Sequence, residues 1–472
     1  MKKFILFAVI LSLLVPTLAL AAAEFSLGGF VKLDAFWDST QQGKNMNTLI
    51  QRNNAAFVAA GGVAGPNGFN HGRMKFTAQG SRFNFTIKGP KLFGAQTTGF
   101  MEIDFDSAET GVAGVANNPS NSYTPRLRHA MFRFNWPDTE LLFGQYWSMF
   151  CEWYPETAED GPFQGTGAPT ARIPQIRVSQ KFLGAWTVAG LIGSANGTLN
   201  GQAYSAVDNS GQSSETPQIQ GKVEYAQDLW GKAAYYGRPT PFTAKVTGGW
   251  QRSTYAQQSL DAFRTFGQNT WSQPLGNITA GRTWSKHQTL DPWLLMGSVF
   301  IPVLSTSSAN LAGTASIVTQ WWMGQGVEAF GFVGFGANPF KFNNSNAGSY
   351  VYDAQLMKRW GGYAQAQYYF TNQWFLNVAW GMSRAYNVEQ DPLLFATQGP
   401  VNLRTAANDP TKWMNQIIGT LWYRPITSLK FGLQYQYCRT KFFQQNGVVV
   451  GLPEAVDAGE NHRVMFAGFF YF

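Results

Sequence analysis

The side chains in this sequence that could do chemistry are single cations, set one or two per short run of alternating polar and apolar residues. Arg82 stands in Ser81-Arg82-Phe83-Asn84-Phe85, and Arg126 and Arg128 stand in Arg126-Leu127-Arg128-His129-Ala130. Arg177 and Lys181 share the run Gln175–Lys181, Lys222 lies in Gln218–Glu224, and Lys245 in Thr243–Thr247. Lys32 and Lys88 occur in similar text. A guanidinium is a planar fork that holds a carboxylate through two parallel hydrogen bonds, whereas an ammonium acts as a point charge. The chemistry on offer is electrostatic selection of anions, with Arg82, Arg126, Arg128 and Arg177 as the contact set. Glu102 and Asp104 are the counter-charges expected to face these cations across an interior. Bond-making chemistry has no comparable support. His71, His129, His287 and His462 lack metal-ligand spacing, no Gly-x-Ser-x-Gly elbow occurs, and neither Cys151 nor Cys438 opens a haem-attachment motif. The reading is therefore no enzyme, no catalytic residue, no metal and no cofactor.

The runs that carry these residues alternate with period two, which is the period of a β-strand with unlike faces. Phe25, Leu27, Val31, Leu33 and Trp37 fall on one face of the first run, with Lys32 and Asp34 on the other and Phe30 as an exception. Ile176, Val178 and Phe182 oppose Gln175, Arg177 and Lys181, while Ile219 and Val223 oppose Gln218 and Lys222. A change of parity between Met74–Ala78 and Phe83–Ile87 predicts a bulge near Gly80. Arg126 and Arg128 share parity with Phe132 and Phe134, so pattern alone leaves two orientations open. Facing lipid would cost a guanidinium about 2–4 kcal/mol at mid-bilayer, which favours inward; rim arginines on lipid phosphate are the other reading.

Both chain ends point to a membrane barrel. Lys2-Lys3, an apolar run to about Leu20 and Ala21-Ala22-Ala23 form a signal peptide, with cleavage expected after Ala23 and one barrel domain from Glu24 to Phe472. At the far end Val464, Phe466, Phe470 and Phe472 alternate with Arg463, Met465, Phe469 and Tyr471, a strand that would aggregate in water but suits a lipid-facing seam. No later stretch is apolar enough for a membrane helix, and 15% aromatic against 13% charged residues fits a barrel better than a soluble domain. Removing Lys2 and Lys3 lowers the formal net charge from +8 by two, to +6, and the remaining cations are scattered, so nucleic acid is not an expected partner. Ten strands read from the front to Val303 and five from Gly361 onward; one strand between Leu311 and Asn338 makes sixteen, with fourteen or eighteen as alternatives. The fold class is all-β: a transmembrane antiparallel β-barrel of about 16 strands with short periplasmic turns and long extracellular loops. Its lumen is too wide for side chains alone to fill.

The stretches Ser81–Phe85, Glu102-Ile103-Asp104-Phe105, Arg126–Ala130, Gly144-Gln145-Tyr146-Trp147-Ser148-Met149-Phe150 and Arg172–Arg177 resemble the N-terminal half of DcaP-like outer-membrane porins. The resemblance is specific to about Tyr225 and becomes general barrel texture beyond it. It implies a trimeric sixteen-stranded channel favouring anions such as dicarboxylates. Some relatives carry a periplasmic helical extension, whereas here Glu24 leads straight into the first strand. The closing Phe466, Phe470 and Phe472 resemble the insertion signature of bacterial outer-membrane proteins. In general porins the third loop folds inward; the acidic segment Cys151–Thr170 occupies that place, and an inward constriction and an exposed acidic cap both remain open. The expected function is passive diffusion of small anionic solutes through the outer membrane, the alternative being a loop-plugged structural or adhesive barrel. Expected partners are those solutes, outer-membrane lipid and two further copies of the chain in a homotrimer.

Overall fold

The computed structural model describes residues 23–40, 72–106, 123–196, 211–258, 284–332, 340–346, 349–354, 356–386, 411–442 and 458–472. Residues 1–22, with the expected signal peptide, and His71 lie outside the described residues. In chain order the strands are β1 (Glu24–Asp38), β2 (Arg73–Thr77), β3 (Arg82–Leu92), β4 (Ala95–Asp104), β5 (Arg126–Asn135), β6 (Thr139–Trp147), β7 (Arg172–Phe182) and β8 (Trp186–Gly193). There follow β9 (Gln218–Gln227), β10 (Ala233–Tyr235), β11 (Arg238–Thr240), β12 (Phe242–Trp250), β13 (Ser253–Gln258), β14 (Trp284–Leu290), β15 (Trp293–Leu304) and β16 (Ala315–Gln325). The last are β17 (Phe340–Asn346), β18 (Ser349–Ala354), β19 (Lys358–Tyr369), β20 (Trp374–Ala385), β21 (Thr411–Ile426), β22 (Leu429–Phe442) and β23 (Ala458–Tyr471).

One antiparallel sheet closes on itself, each strand pairing with its neighbour and β23 returning to β1. β2 and β3 both pair with β1 and are two halves of one barrel strand, so the barrel has sixteen strands. Between those halves Ala78–Ser81 oppose only Val31–Leu33, which is the bulge expected near Gly80 and the reason the parity changes there. The uncertain segment supplies one barrel strand, β16, followed by a short 3₁₀ turn at Val327–Phe330. From Arg252 to about Thr289 the residue pattern reads as loop, but β13 and β14 pair there and continue the β12–β15 hairpin. The connection between β9 and β12 contains the hairpin β10–β11.

The outer surface has the inverted distribution that lipid demands. Phe25, Leu27, Val31, Leu33, Val178, Val246, Leu433, Phe466 and Phe470 are exposed, while their strand neighbours Lys32, Asp34, Arg177, Lys245 and Gln434 are buried inside. The seam runs from Phe30↔Tyr471 to Asp38↔Arg463, where Asp38 accepts from Arg463 Nε (2.7 Å), Arg463 Nη2 (3.1 Å), Asn461 Nδ2 (2.9 Å) and Arg73 Nε (2.9 Å). Asp38 and Arg463 are fully buried, so loss of one partner strands the other's charge. Asp38→Asn is expected to lower the free energy of unfolding by about 3–5 kcal/mol, measured as the urea midpoint for the heat-modifiable folded band.

Candidate functional site

The arginines predicted to face inward do so, and β5 contains the device that makes it possible. Glu102 pairs with His129 but Ile103 pairs with Leu127, so Arg128 is an extra residue in β5. This bulge switches parity within the strand. Arg126 and Arg128 point into the lumen above it, and His129 and Met131 below it, while Leu127 and Phe132 are exposed on the lipid side. On β6, Gly144 (φ 117°) gives way to the bulged strand: a Cβ there would lie 2.3 Å from Ala130 O. Asp104 accepts from Arg126 Nε (2.9 Å) and Nη2 (2.7 Å) and from Arg128 Nη1 (2.7 Å), and Glu102 accepts from Arg128 Nε (2.6 Å). Glu102 and Asp104 thus sit beside these arginines on the next strand rather than opposite them, so they fix guanidinium direction and set up no field across the lumen.

The segment after β6 settles the two readings of Cys151–Thr170: it folds inward and crosses the lumen. Its carboxylates find the predicted cations. Glu152 is bound by Lys222 Nζ (2.7 Å), Lys245 Nζ (3.1 Å) and Arg177 Nη1 (3.5 Å), and Asp160 by Arg82 Nη2 (2.6 Å). Glu156 pairs with Lys430 and accepts from Gln367 Nε2 (2.8 Å). Between these anchors, wall amides hold the backbone. Gln365 accepts the Glu156 N–H (2.7 Å) and Gln434 the Ala158 N–H (2.7 Å). Lys32 Nζ donates to Ala158 O (2.8 Å), and Asn377 Nδ2 to Glu156 O (2.6 Å). Further along, Ser383 Oγ donates to Gly165 O (2.8 Å) and Trp322 Nε1 to Gly167 O (2.9 Å).

The loop divides the lumen. Gln320, Gln365, Asn377, Gln416 and Gln434, inward residues of β16–β22, are at most 2% exposed beneath it. On the other wall the side chains of Arg82 (20%), Arg126 (33%) and Glu140 (29%) retain contact with solvent. Lys181, at the periplasmic end of β7, is exposed on the inward face. Arg172 and Arg424 were not singled out from the sequence. Among the described residues neither has a carboxylate within ion-pairing distance, Arg172 lying 4.9 Å over the Trp147 ring and Arg424 beside Gly237. Arg424 follows Thr420 and Trp422 at period two, a signal that was available; Arg172 has the parity of Ile176 and Val178, so the pattern places it on the lipid face although it lies against Trp147. The glutamines were legible as polar lining, but their role as backbone acceptors for a distant loop was not. Cys151 and Cys438 are free and buried.

Burial by itself would raise the Glu152 carboxyl, but Lys245, Lys222 and Arg177 outweigh it and bring the pKa down to about 2. Asp160 likewise falls well below the usual carboxylate range: burial raises it, and Arg82, Arg128 and Lys32 more than offset that. A carboxylate depressed on folding stabilises the docked loop above its unfolded pKa, and that contribution is lost as pH falls through the folded value. The loop should therefore remain docked from neutral pH to about pH 4 and release only toward pH 2. Glu152→Gln should release Lys245 and Arg177 from their shared carboxylate, while Lys222 keeps Glu224 (3.3 Å), and raise the anion-to-cation permeability ratio roughly two- to threefold, read from reversal potentials.

No family model matches the chain, and no curated protein matches it. Among solved structures, the outer-membrane channel DcaP of Acinetobacter baumannii superposes with a TM-score of 0.59 at 16% identity, over 96% of this chain and 98% of that one. Pseudomonas putida OprB superposes with a TM-score of 0.52 at 9% identity, over 94% of each chain. With a closed sixteen-stranded barrel, a lipid-facing exterior and this likeness, the chain has the fold of the DcaP channel and resides in the bacterial outer membrane.

Proposed function

We propose that the chain is a passive, moderately anion-selective porin for small organic acids, assembled as the homotrimer that the family resemblance implies. The observation that carries this reading is the charge left over in the lumen. The loop carboxylates occupy Arg82, Arg177, Lys222, Lys245 and Lys430, and β4 occupies Arg126 and Arg128. Arg172, Arg424 and Lys181 have no carboxylate counterpart among the described residues and add to the positive potential, against the buried carboxylate of Glu328, whose oxygens have no hydrogen-bond partner there. Paired arginines contribute as well, because Arg126 is two-thirds covered yet keeps a solvent-facing edge that can meet a passing carboxylate. Cations lining a narrow passage with low-dielectric walls raise the local anion concentration and replace part of the solute's hydration.

The depth at which the loop is buried favours a second reading, a barrel plugged for structural or adhesive use. Reconstitution into a planar bilayer under a KCl gradient separates the two. The porin reading expects stepwise conductance with a chloride-to-potassium permeability ratio of about 2–5. A silent membrane supports the plug, and a cation-favouring reversal potential removes the anion claim. Dicarboxylate added to one side should block the current. Arg126→Ala and Arg172→Ala should each weaken that block by roughly tenfold, the scale of one lost charge-assisted contact. An undiminished block would assign the solute contact to other residues.

A further inference from the structure

Periplasmic turns in a barrel of this kind are short, and most here are: Phe93-Gly94 joins β3 to β4, and Leu183-Gly184-Ala185 joins β7 to β8. The connection from β9 to β12, Asp228–Pro241, is far longer and turns into the lumen. Its base is tied down on the periplasmic side. The Asp228 side chain accepts the Gly231 N–H (2.8 Å), Trp230 Nε1 donates to Pro302 O (2.7 Å), and Lys232 bridges to Thr306. The small residues Ala233 and Ala234 are buried, which lets β10 lie flat on the inner wall, where Ser316 Oγ donates to Ala234 O (3.0 Å). The tip then meets the underside of the loop that crosses the lumen.

Two tyrosines make that contact. The Tyr235 hydroxyl accepts the Tyr154 N–H (3.0 Å) and lies 3.1 Å from Tyr154 O, to which it donates. Its ring packs on Trp153 (5.7 Å) and Phe300 (5.9 Å). The Tyr236 hydroxyl donates to Pro155 O (2.9 Å). Trp153–Pro155 is the span between the Glu152 and Glu156 anchors, which otherwise would bridge the lumen with its carbonyls unheld.

The turn of this hairpin carries a conformational cost. Tyr236 (φ 48°) and Gly237 (φ 73°) both adopt the left-handed conformation of a tight two-residue hairpin. Asparagine or glycine is usual at the first position, and an aromatic residue there is strained by roughly 1–2 kcal/mol. Phe93 (φ 51°) and Leu183 (φ 49°) occupy the same position in their turns, but both are directed outward and highly exposed at the membrane edge. Tyr236 is the one of these three turned inside, with its hydroxyl on the loop. Gly237 cannot be replaced freely, since its φ of 73° is a conformation that residues with a side chain rarely adopt.

We propose that the hairpin Ala233–Thr240 positions the constriction: Tyr235 and Tyr236 are positioning residues that hold Trp153–Pro155 and thereby set the size limit of the passage. The proposal rests on the porin reading for what is sized, but the position of the loop is measurable without conduction. The charge contacts of Glu152 and Asp160 are separate from the hairpin, so size and charge selection should come apart on mutation.

The test compares the full-length protein with Tyr235→Phe/Tyr236→Phe, which keeps both rings and removes both hydroxyls, and with Tyr235→Ser/Tyr236→Ser, which removes the rings as well and leaves the lumenal cations in place. Heat-modifiable migration establishes that each barrel is folded. In planar bilayers the expected result is a conductance about 1.5-fold higher and faster liposome swelling with bulky sugars, at an unchanged reversal potential. In parallel, Thr157→Cys is introduced into each background and labelled with a charged maleimide, the native Cys151 and Cys438 being buried. Labelling should accelerate about tenfold when the hairpin is altered, as expected for a segment that opens more often. If both variants keep the wild-type conductance, size limit and labelling rate, the hairpin does not position the loop. If reversal potential shifts along with conductance, the hairpin is not specific to size and the proposal also fails. A wild-type protein that does not conduct would overturn the porin reading alone, and the labelling rates would still decide the positioning role.

Discussion

A chain that leaves the wall of a barrel and crosses its lumen must find partners for every peptide group it buries, and the rest of this structure follows from that requirement. Strand backbones satisfy one another, so the wall has only side chains to offer. Here it offers long neutral amides on β19–β22, reaching the N–H groups of Glu156 and Ala158 and the carbonyl of Glu156. Glutamine suits the task because one side chain both donates and accepts without introducing a charge that would need its own counter-ion. With the backbone satisfied, the loop can lie deep against one wall and leave the opposite wall wet.

The ion pairs have a different role. Glu152 gathers three cations contributed by β7, β9 and β12, and Asp160 takes one from β3, so ion pairs anchor the loop at its start and its middle. A carboxylate shared by three cations leaves net positive charge locally even though it is formally paired. Neutralisation of the lining is therefore incomplete by construction, and the arginines most firmly held are also fixed in direction. Fixed charge costs a permeating anion no reorganisation, which is why a held guanidinium can select better than a free one.

The barrel itself was legible because lipid outside and water inside impose alternation on every strand; β1, β7, β9, β19 and β23 read directly from residue type. The bulge near Ala78–Ser81 was legible for the same reason, as a change of phase. Arg126 and Arg128 were harder, because the extra residue at Arg128 sits inside a run of ten and moves both arginines onto the parity of Phe132 and Phe134. Only the energetic cost of a charge in lipid pointed the right way. The hairpin β10–β11 left almost no trace, since three residues are too few to show a period. Tyr236-Gly237 does not look like a hairpin turn until the φ angles are known. The inward course of Cys151–Thr170 depends on partners hundreds of residues away, at Gln365, Lys430 and Gln434, which no local pattern can connect.

Placing size control and charge control on different contacts has a physical consequence. The hydroxyl and amide contacts on the loop are neutral and insensitive to salt, whereas the attraction of solutes by lumenal cations weakens as ionic strength shortens the Debye length, about 10 Å at 0.1 M. On the proposed reading, the aperture should hold its shape across conditions in which the attraction of anions fades. A barrel that relied on its ion pairs alone to hold the loop would lose both together, and the neutral lattice of glutamines and tyrosines is what separates them.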